Sequence, residues 1–281
     1  MCNIIKGNIY LGGCILSDNV KKKICDEANI RFINESLSGY DKFKYLPNWL
    51  KNKSKYLEAE RTRPPKNQKV YKRSSIIYVD FGINVGNELS GNHFAIVLNN
   101  KDNNKNGVLS VVPISSKNKK NYISVGEIIK DSSIKHFSDE ARKTQAETKC
   151  LLVAMKSKGL ITETVLKHEG IKKILNDGNE ISLDEALKKM ESSGIDLENI
   201  DSIITKVKFL TQDAEAQKKV YHSYQKYSKK SFAMPLSIQT VSKDRIRKIN
   251  KFDPSGNIKA PKDVMIRIDE AIMKNYTKSN L

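Results

Sequence analysis

KRSSIIYVDFGINVGNELSGNHFAIVLNNKDNNKNGVLSVVPISSK, residues 72–117, holds three short apolar runs: IIYV at 76–79, FAIVL at 94–98 and VLSVV at 108–112. Each is rich in β-branched side chains and bounded by Gly, Asn, Asp or Pro, the pattern of consecutive strands. Between the first two runs lies GINVGNELSGNH, with three glycines and three asparagines. That composition tolerates positive φ and tight backbone turns, so the segment reads as a shaped loop on a strand rim.

Working outward, NYISVGEI (121–128) reads as a fourth strand. From there to about residue 230 the pattern turns helical. Ser182-Leu183-Asp184-Glu185 is a capping box with Gly194 as a C-terminal stop. Ile200, Ile203, Val207, Leu210, Ala214, Gln217, Tyr221 and Tyr224 then alternate gaps of three and four, one seam of a long helix, weakened in its middle by Ala214 and Gln217. One seam needs a partner, either the helix around Val165, Ile171 and Ile174 or the same helix of a second subunit. The chain closes with LSIQTVSKDRI (236–246), a turn-rich FDPSGNI (252–258) and a helix whose apolar face is Val264, Ile268, Ala271 and Ile272.

Upstream, NIYLGGCIL reads as a strand or hairpin, and Ser17-Asp18 as the N-cap of a helix carrying Val20, Ile24, Ile30 and Ile33. A second helix starts after Pro47, with Leu46, Trp49, Leu50 and Tyr56-Leu57 on one face, and stops at Arg63-Pro64-Pro65. Residues 40–75 carry eleven basic and three acidic side chains, either a solvated helix face or an added nucleic-acid surface with Trp49 or Tyr56 for stacking.

The 281-residue chain has 50 Lys and Arg against 32 Asp and Glu, a formal charge of +18. Between 229 and 251 stand seven basic residues and one acidic residue. A patch of that kind gains affinity for phosphates by counterion release, so nucleic acid is the favoured partner. Cys2, Cys14, Cys25 and Cys150 lack CxxC and metal-ligand spacing and read as free thiols of a reducing cytosol. MCNIIKGNIY is too short and polar for a signal core, and no apolar run approaches the ~20 residues that cross a bilayer. A cytoplasmic protein without membrane, metal or cofactor is expected.

Four motifs, in order, resemble the MazF/PemK family of toxin endoribonucleases: Val79-Asp80-Phe81-Gly82; Val85-Gly86-Asn87-Glu88 followed by Ser90-Gly91; Val112-Pro113-Ile114-Ser115-Ser116-Lys117; and 236–246 with the closing helix 264–274. Ser74-Ser75 stands where the family has Gly-Asp. The resemblance implies an α+β fold, a small SH3-like antiparallel β-barrel with a helical N-terminal extension and an inserted helical hairpin. The corresponding divisions are 1–70 (extension), 71–129 (first part of the barrel), 130–230 (insertion) and 231–281 (last part of the barrel and closing helix). It also implies a sequence-selective endoribonuclease that cuts single-stranded RNA without metal, acts as a homodimer and is held by a cognate antitoxin. A noncatalytic nucleic-acid-binding or gyrase-inhibitor-like module of the same fold is the alternative.

The family's catalytic arginine falls on His93, and its catalytic hydroxyl on Ser115. RNA carries its own nucleophile, the 2′-hydroxyl, so the protein must move protons and neutralise charge on the phosphate. An imidazole exchanges protons near neutrality, at an unperturbed pKa of ~6.5, and a serine hydroxyl donates a hydrogen bond to a phosphate oxygen. With an imidazole in place of a guanidinium, the cation must come from elsewhere, and Lys117 and Arg73 are the candidates. Supporting or RNA-binding roles are expected for Arg73, Glu88, Gly91, Ser116, Lys117, Gln239 and Lys243. Glu88 either orients His93 or braces its loop. His136, His168 and His222 read as surface residues of the insertion.

Overall fold

The computed structural model describes residues 16–62 and 67–278, so the expected first hairpin, Cys2, Cys14 and the Arg63-Pro64-Pro65 stop lie outside the described residues. The chain forms two compact units, Met1–Lys66 with Phe81–Gly91, and Asn67–Asp80 with Asn92–Leu281.

In the first unit, α1 (Asp18–Leu37) starts after Ser17 and buries no side chain; Val20, Ile24, Ile30 and Ile33 are exposed. Helix α2 (Leu46–Thr62) buries Leu46 and sets Trp49 against Tyr56, ring centroids 6.4 Å apart. The loop 81–91 is braced from within. The Asn84 side chain donates to the Phe81 and Leu89 carbonyls at 3.0 and 2.7 Å, and the Gly91 N–H donates to the Gly82 carbonyl. Gly82 has φ +78°, and a Cβ built there would meet the Trp49 ring at 2.5 Å, so this turn needs glycine on two counts.

In the second unit, strands β1 (Ile76–Asp80), β2 (Asn92–Val97) and β3 (Val108–Ser115) pair antiparallel in sequence order. Strand β3 is the spine. Along its first half it pairs with β6 (Gln239–Ser242), and at its last two residues with β5 (Ser231–Ala233), which in turn pairs with β4 (Ile123–Gly126). The order is β1-β2-β3-β5-β4 with β6 on β3. This is the expected α+β class, but the strand ladders do not close into a barrel. Beyond β6 the chain returns to β1 without a strand ladder, through the isolated bridge of Val79 with Ile246, the Arg247 N–H on the Tyr78 carbonyl at 2.8 Å and the Ile76 N–H on the Ile258 carbonyl at 2.9 Å. Just past β6, Lys243–Arg245 form a 3₁₀ turn, capped by the Ser242 hydroxyl accepting from the Asp244 N–H, and Lys243 is buried.

One sheet face packs Ile76, Phe94, Ile96, Val112 and Ile114 against Val264, Met265 and Ile268 of α8 (Lys262–Tyr276). The same core takes Ile128 and Ile129 from the start of α3 (Ile128–Ser157), and Val220 and Tyr224 from the end of α7 (Ile200–Gln225). Between these long helices run α4 (Glu163–Leu166), α5 (Glu169–Leu175) and α6 (Leu183–Ser192). Helix α6 opens on the Ser182/Glu185 capping box. A second core joins Cys150, Leu151 and Ala154 of α3 to Ala186, Met190 and Leu210.

The seam of α7 therefore packs chiefly on α3, while its Val207, Leu210 and Ala214 line one cavity with Val165, Ile171 and Ile174 of the short helices. Gln217, the apparent defect in that seam, donates to Thr144 Oγ1 at 2.6 Å, and Lys206 pairs with Glu147 at 2.9 Å. The roots of α3 and α7 lie in the sheet core, which fixes residues 226–231 beside the strand ends.

Candidate active site

The register of β2 on β3 sets Ala95 opposite Pro113. Continued two places each way, it brings His93 beside Ser115, and because strand side chains alternate, both stand on one face. His93 Nδ1 lies 3.3 Å from the Ile114 carbonyl. A carbonyl only accepts, so Nδ1 carries the proton, and in the neutral ring Nε2 is the nitrogen with the lone pair. Ser115 Oγ accepts the Lys117 N–H at 3.0 Å, an arrangement that leaves the hydroxyl's own proton to be donated.

His93 and Ser115 line one cavity of about 260 Å³, together with Tyr78, Asn92, Phe94, Ile114, Ser116, Ile129, Lys226, Tyr227, Lys229 and Ser231. Among these described lining residues there is no carboxylate. Tyr78 and Phe94 belong to the other face of the β1–β2 ribbon, so the cavity wraps around the strand ends and joins both faces.

The wall opposite the sheet is aromatic and tightly held. Tyr227 meets Phe94 edge-on, centroids 4.8 Å apart at 89°, and its hydroxyl donates to the Tyr78 hydroxyl at 3.3 Å. Burial, then the hydrogen bond with Tyr227, push the Tyr78 phenol well above its ordinary pKa, so it stays protonated. Tyr224 donates to Asp253 at 2.7 Å, and Asp253 also accepts the Ile249 and Ser255 N–H groups, each at 2.8 Å. Asp80, of the Val79–Gly82 motif, is buried and pairs with Arg247 at 3.1 Å, while its carbonyl takes Arg245 Nε at 2.8 Å.

The expected supporting residues divide. Ser116 lines the cavity; Lys117 is exposed beside it and contributes its N–H to Ser115. Arg73 forks between the Leu98 carbonyl and Asp269 of α8, outside the cavity lining. Gln239 begins β6 opposite Val111. Lys243 is buried, with Nζ 2.8 Å from Asp102 and 3.2 Å from the Asn103 carbonyl, a tie within the fold. Glu88 and Gly91 belong to the braced loop of the first unit, where Glu88 is exposed. His136, expected at the surface, is half-buried, and its Nε2 donates to the Phe252 carbonyl at 3.2 Å.

Sequence reasoning missed Tyr78, Lys226 and Tyr227. The available signal was weak: the basic run begins at Lys229, and the α7 seam ends at Tyr224, but neither says that this junction folds back on β2. Among the described residues no three His, Cys, Asp or Glu side chains converge as a metal site would require, and no helix is long and apolar enough to cross a membrane.

Residues 72–159 match a family model described as the PemK-like, MazF-like toxin of type II toxin-antitoxin systems. The match includes His93 and Ser115 and runs through α3; 236–246 and 264–274 lie outside it. No curated protein matches the chain.

Proposed function

We propose, from the match of residues 72–159 to the PemK-like, MazF-like toxin model, that the chain is a sequence-selective endoribonuclease that cleaves single-stranded RNA without a metal ion. The observation that carries this reading is the placement of His93 and Ser115 on one strand face of one carboxylate-free cavity. His93 Nε2 takes the proton of the 2′-hydroxyl as its oxygen attacks phosphorus. The Ser115 O–H donates to a nonbridging oxygen, where charge gathers. The P–O5′ bond breaks, the imidazolium or water protonates the departing oxygen, and the products are a 2′,3′-cyclic phosphate and a 5′-hydroxyl.

On this reading 71–129 and 231–281 make the toxin fold, its sheet an opened SH3-like barrel, with 1–70 an extension and 130–230 an insertion. The chain works in the cytoplasm as a homodimer. A type II toxin family implies an antitoxin partner, and that partner would cover the RNA site.

The test is a long structureless RNA incubated with the protein in EDTA, with mapping of new 5′ ends. Cuts at a short recurring sequence are expected. His93→Ala and Ser115→Ala should each slow them by about 10²- to 10⁴-fold, the usual worth of a positioned proton-transfer group, with thermal unfolding unchanged. The absence of the family arginine favours a second reading, a noncatalytic binding module. Intact RNA that is still bound, with affinity falling as salt rises, would select it.

A further inference from the structure

We infer that the junction between α7 and β5 is a subsite for one unpaired nucleotide flanking the scissile bond, its base on Tyr227 and Tyr78 and its phosphate on Lys226 and Lys229. The inference rests on the RNA-cleaving reading of the adjacent His93 and Ser115. It assigns substrate binding to a segment that the family match does not reach.

Three observations carry it. The first is the shape of the cavity. His93 and Ser115 stand on one face of the strand ends and Tyr78 on the other, and the cavity joins the two. A chain crossing the strand ends therefore presents a phosphate to one side and a neighbouring base to the other. At about 260 Å³ the cavity is smaller than the ~300–1,000 Å³ sites of drug-sized ligands, a space for a single nucleotide.

The second is the fixed position of Tyr227. Its ring is set edge-on against Phe94, its hydroxyl bonds Tyr78, and the preceding turn of α7 is pinned by Tyr224 on Asp253. A tyrosine already held in place stacks a base at little entropic cost.

The third is which cations remain for a ligand. In the basic run, Lys243 pairs with Asp102, Arg247 with Asp80 and Lys251 with Asp213. Lys226 and Lys229 line the cavity and are exposed, and among the described residues neither has an ion-pair partner. Their charge is unspent by the fold. A duplex keeps its bases stacked inside, so the shelf selects unpaired RNA.

The experiment uses the full chain with His93→Ala as the background, so that labelled single-stranded RNA is bound but not cut, and reads affinity by anisotropy across a salt series. Tyr227→Leu should weaken binding by about 5- to 150-fold, the loss of one base stack, while Tyr227→Phe, which keeps the ring, should bind within about 2-fold of the background. Lys226→Met with Lys229→Met should lower the slope of log affinity against log salt by about 0.7, the one single-strand phosphate that the two lysines share. In the cutting enzyme the same changes should raise KM more than they lower kcat. Equal binding by Tyr227→Leu, an equal loss in Tyr227→Phe, or an unchanged salt slope would overturn the subsite while the wild-type cleavage pattern still stood. A wild type that neither cuts nor binds RNA would remove the parent reading and the subsite together. Should Tyr227→Leu fail to fold, the lysine pair carries the test alone.

Discussion

Lys243→Met tests whether this lysine serves the fold or the RNA. Its ammonium and the Asp102 carboxylate lie 2.8 Å apart with side chains 2% and 0% exposed, so water supports neither charge. Asp102 also accepts the Tyr71 N–H at 2.8 Å and Asn106 Nδ2 at 3.1 Å. Burial alone would raise its pKa, but the bonds from Lys243, Tyr71 and Asn106 hold it below the usual carboxylate value. Without Lys243 the buried carboxylate keeps only neutral donors. Breaking one partner of such a pair costs about 3–5 kcal/mol, whereas removing both charges is often near neutral.

In urea denaturation followed by far-ultraviolet circular dichroism, Lys243→Met should lose about 3–5 kcal/mol, and Lys243→Met with Asp102→Asn should recover most of it. The sign with pH follows from the lowered pKa of Asp102. Its stabilising contribution is present above the unfolded value of ~3.9 and lost as pH falls through the folded one, so the gap between wild type and variant should narrow in acid. The RNA salt slope should not change. A loss below about 1 kcal/mol together with a shallower salt slope would refute this reasoning and return Lys243 to the RNA-binding set.

Two further outcomes follow from the geometry. Gly82→Ala should cost about 2–5 kcal/mol, from a left-handed backbone and a Cβ driven into Trp49; as the chain has one tryptophan, its fluorescence reports the change, and an unmoved unfolding midpoint would contradict the turn. Desolvation, then the charge of Lys248, lower the Lys69 pKa to about 8. Between that value and the unfolded ~10.4, the folded state binds fewer protons than the unfolded chain, so stability should rise with pH across this window. Lys69→Gln should flatten the rise, as measured by denaturation midpoints at either end; an identical slope in the variant would remove Lys69 as its source.

The sequence by itself determined the α+β class, the positions of β1, β2 and β3, the capping box of α6 and the amphipathic face of α8, because each is a local matter of period, branching and turn chemistry. It also singled out His93 and Ser115, which the β2–β3 register sets side by side. Tertiary structure decided what covers what. The α7 seam announced an apolar stripe, yet its partner α3 lies some sixty residues away, as the pairing of Lys206 with Glu147 across 59 positions illustrates. The run of lysines announced charge but not which members were already neutralised: Lys243 answers to Asp102 across 141 positions, while Lys226 and Lys229 face the cavity. The regular ladder stops at β6, where Lys243–Arg245 form a 3₁₀ turn, and the chain then returns to β1 only through single contacts such as the Val79–Ile246 bridge and the Arg247 N–H on the Tyr78 carbonyl. Periodicity records which face of an element is apolar, and composition records how much charge a segment holds. Only the packed chain brings distant residues within hydrogen-bond reach, and that decides which charges the fold consumes and which remain for a ligand.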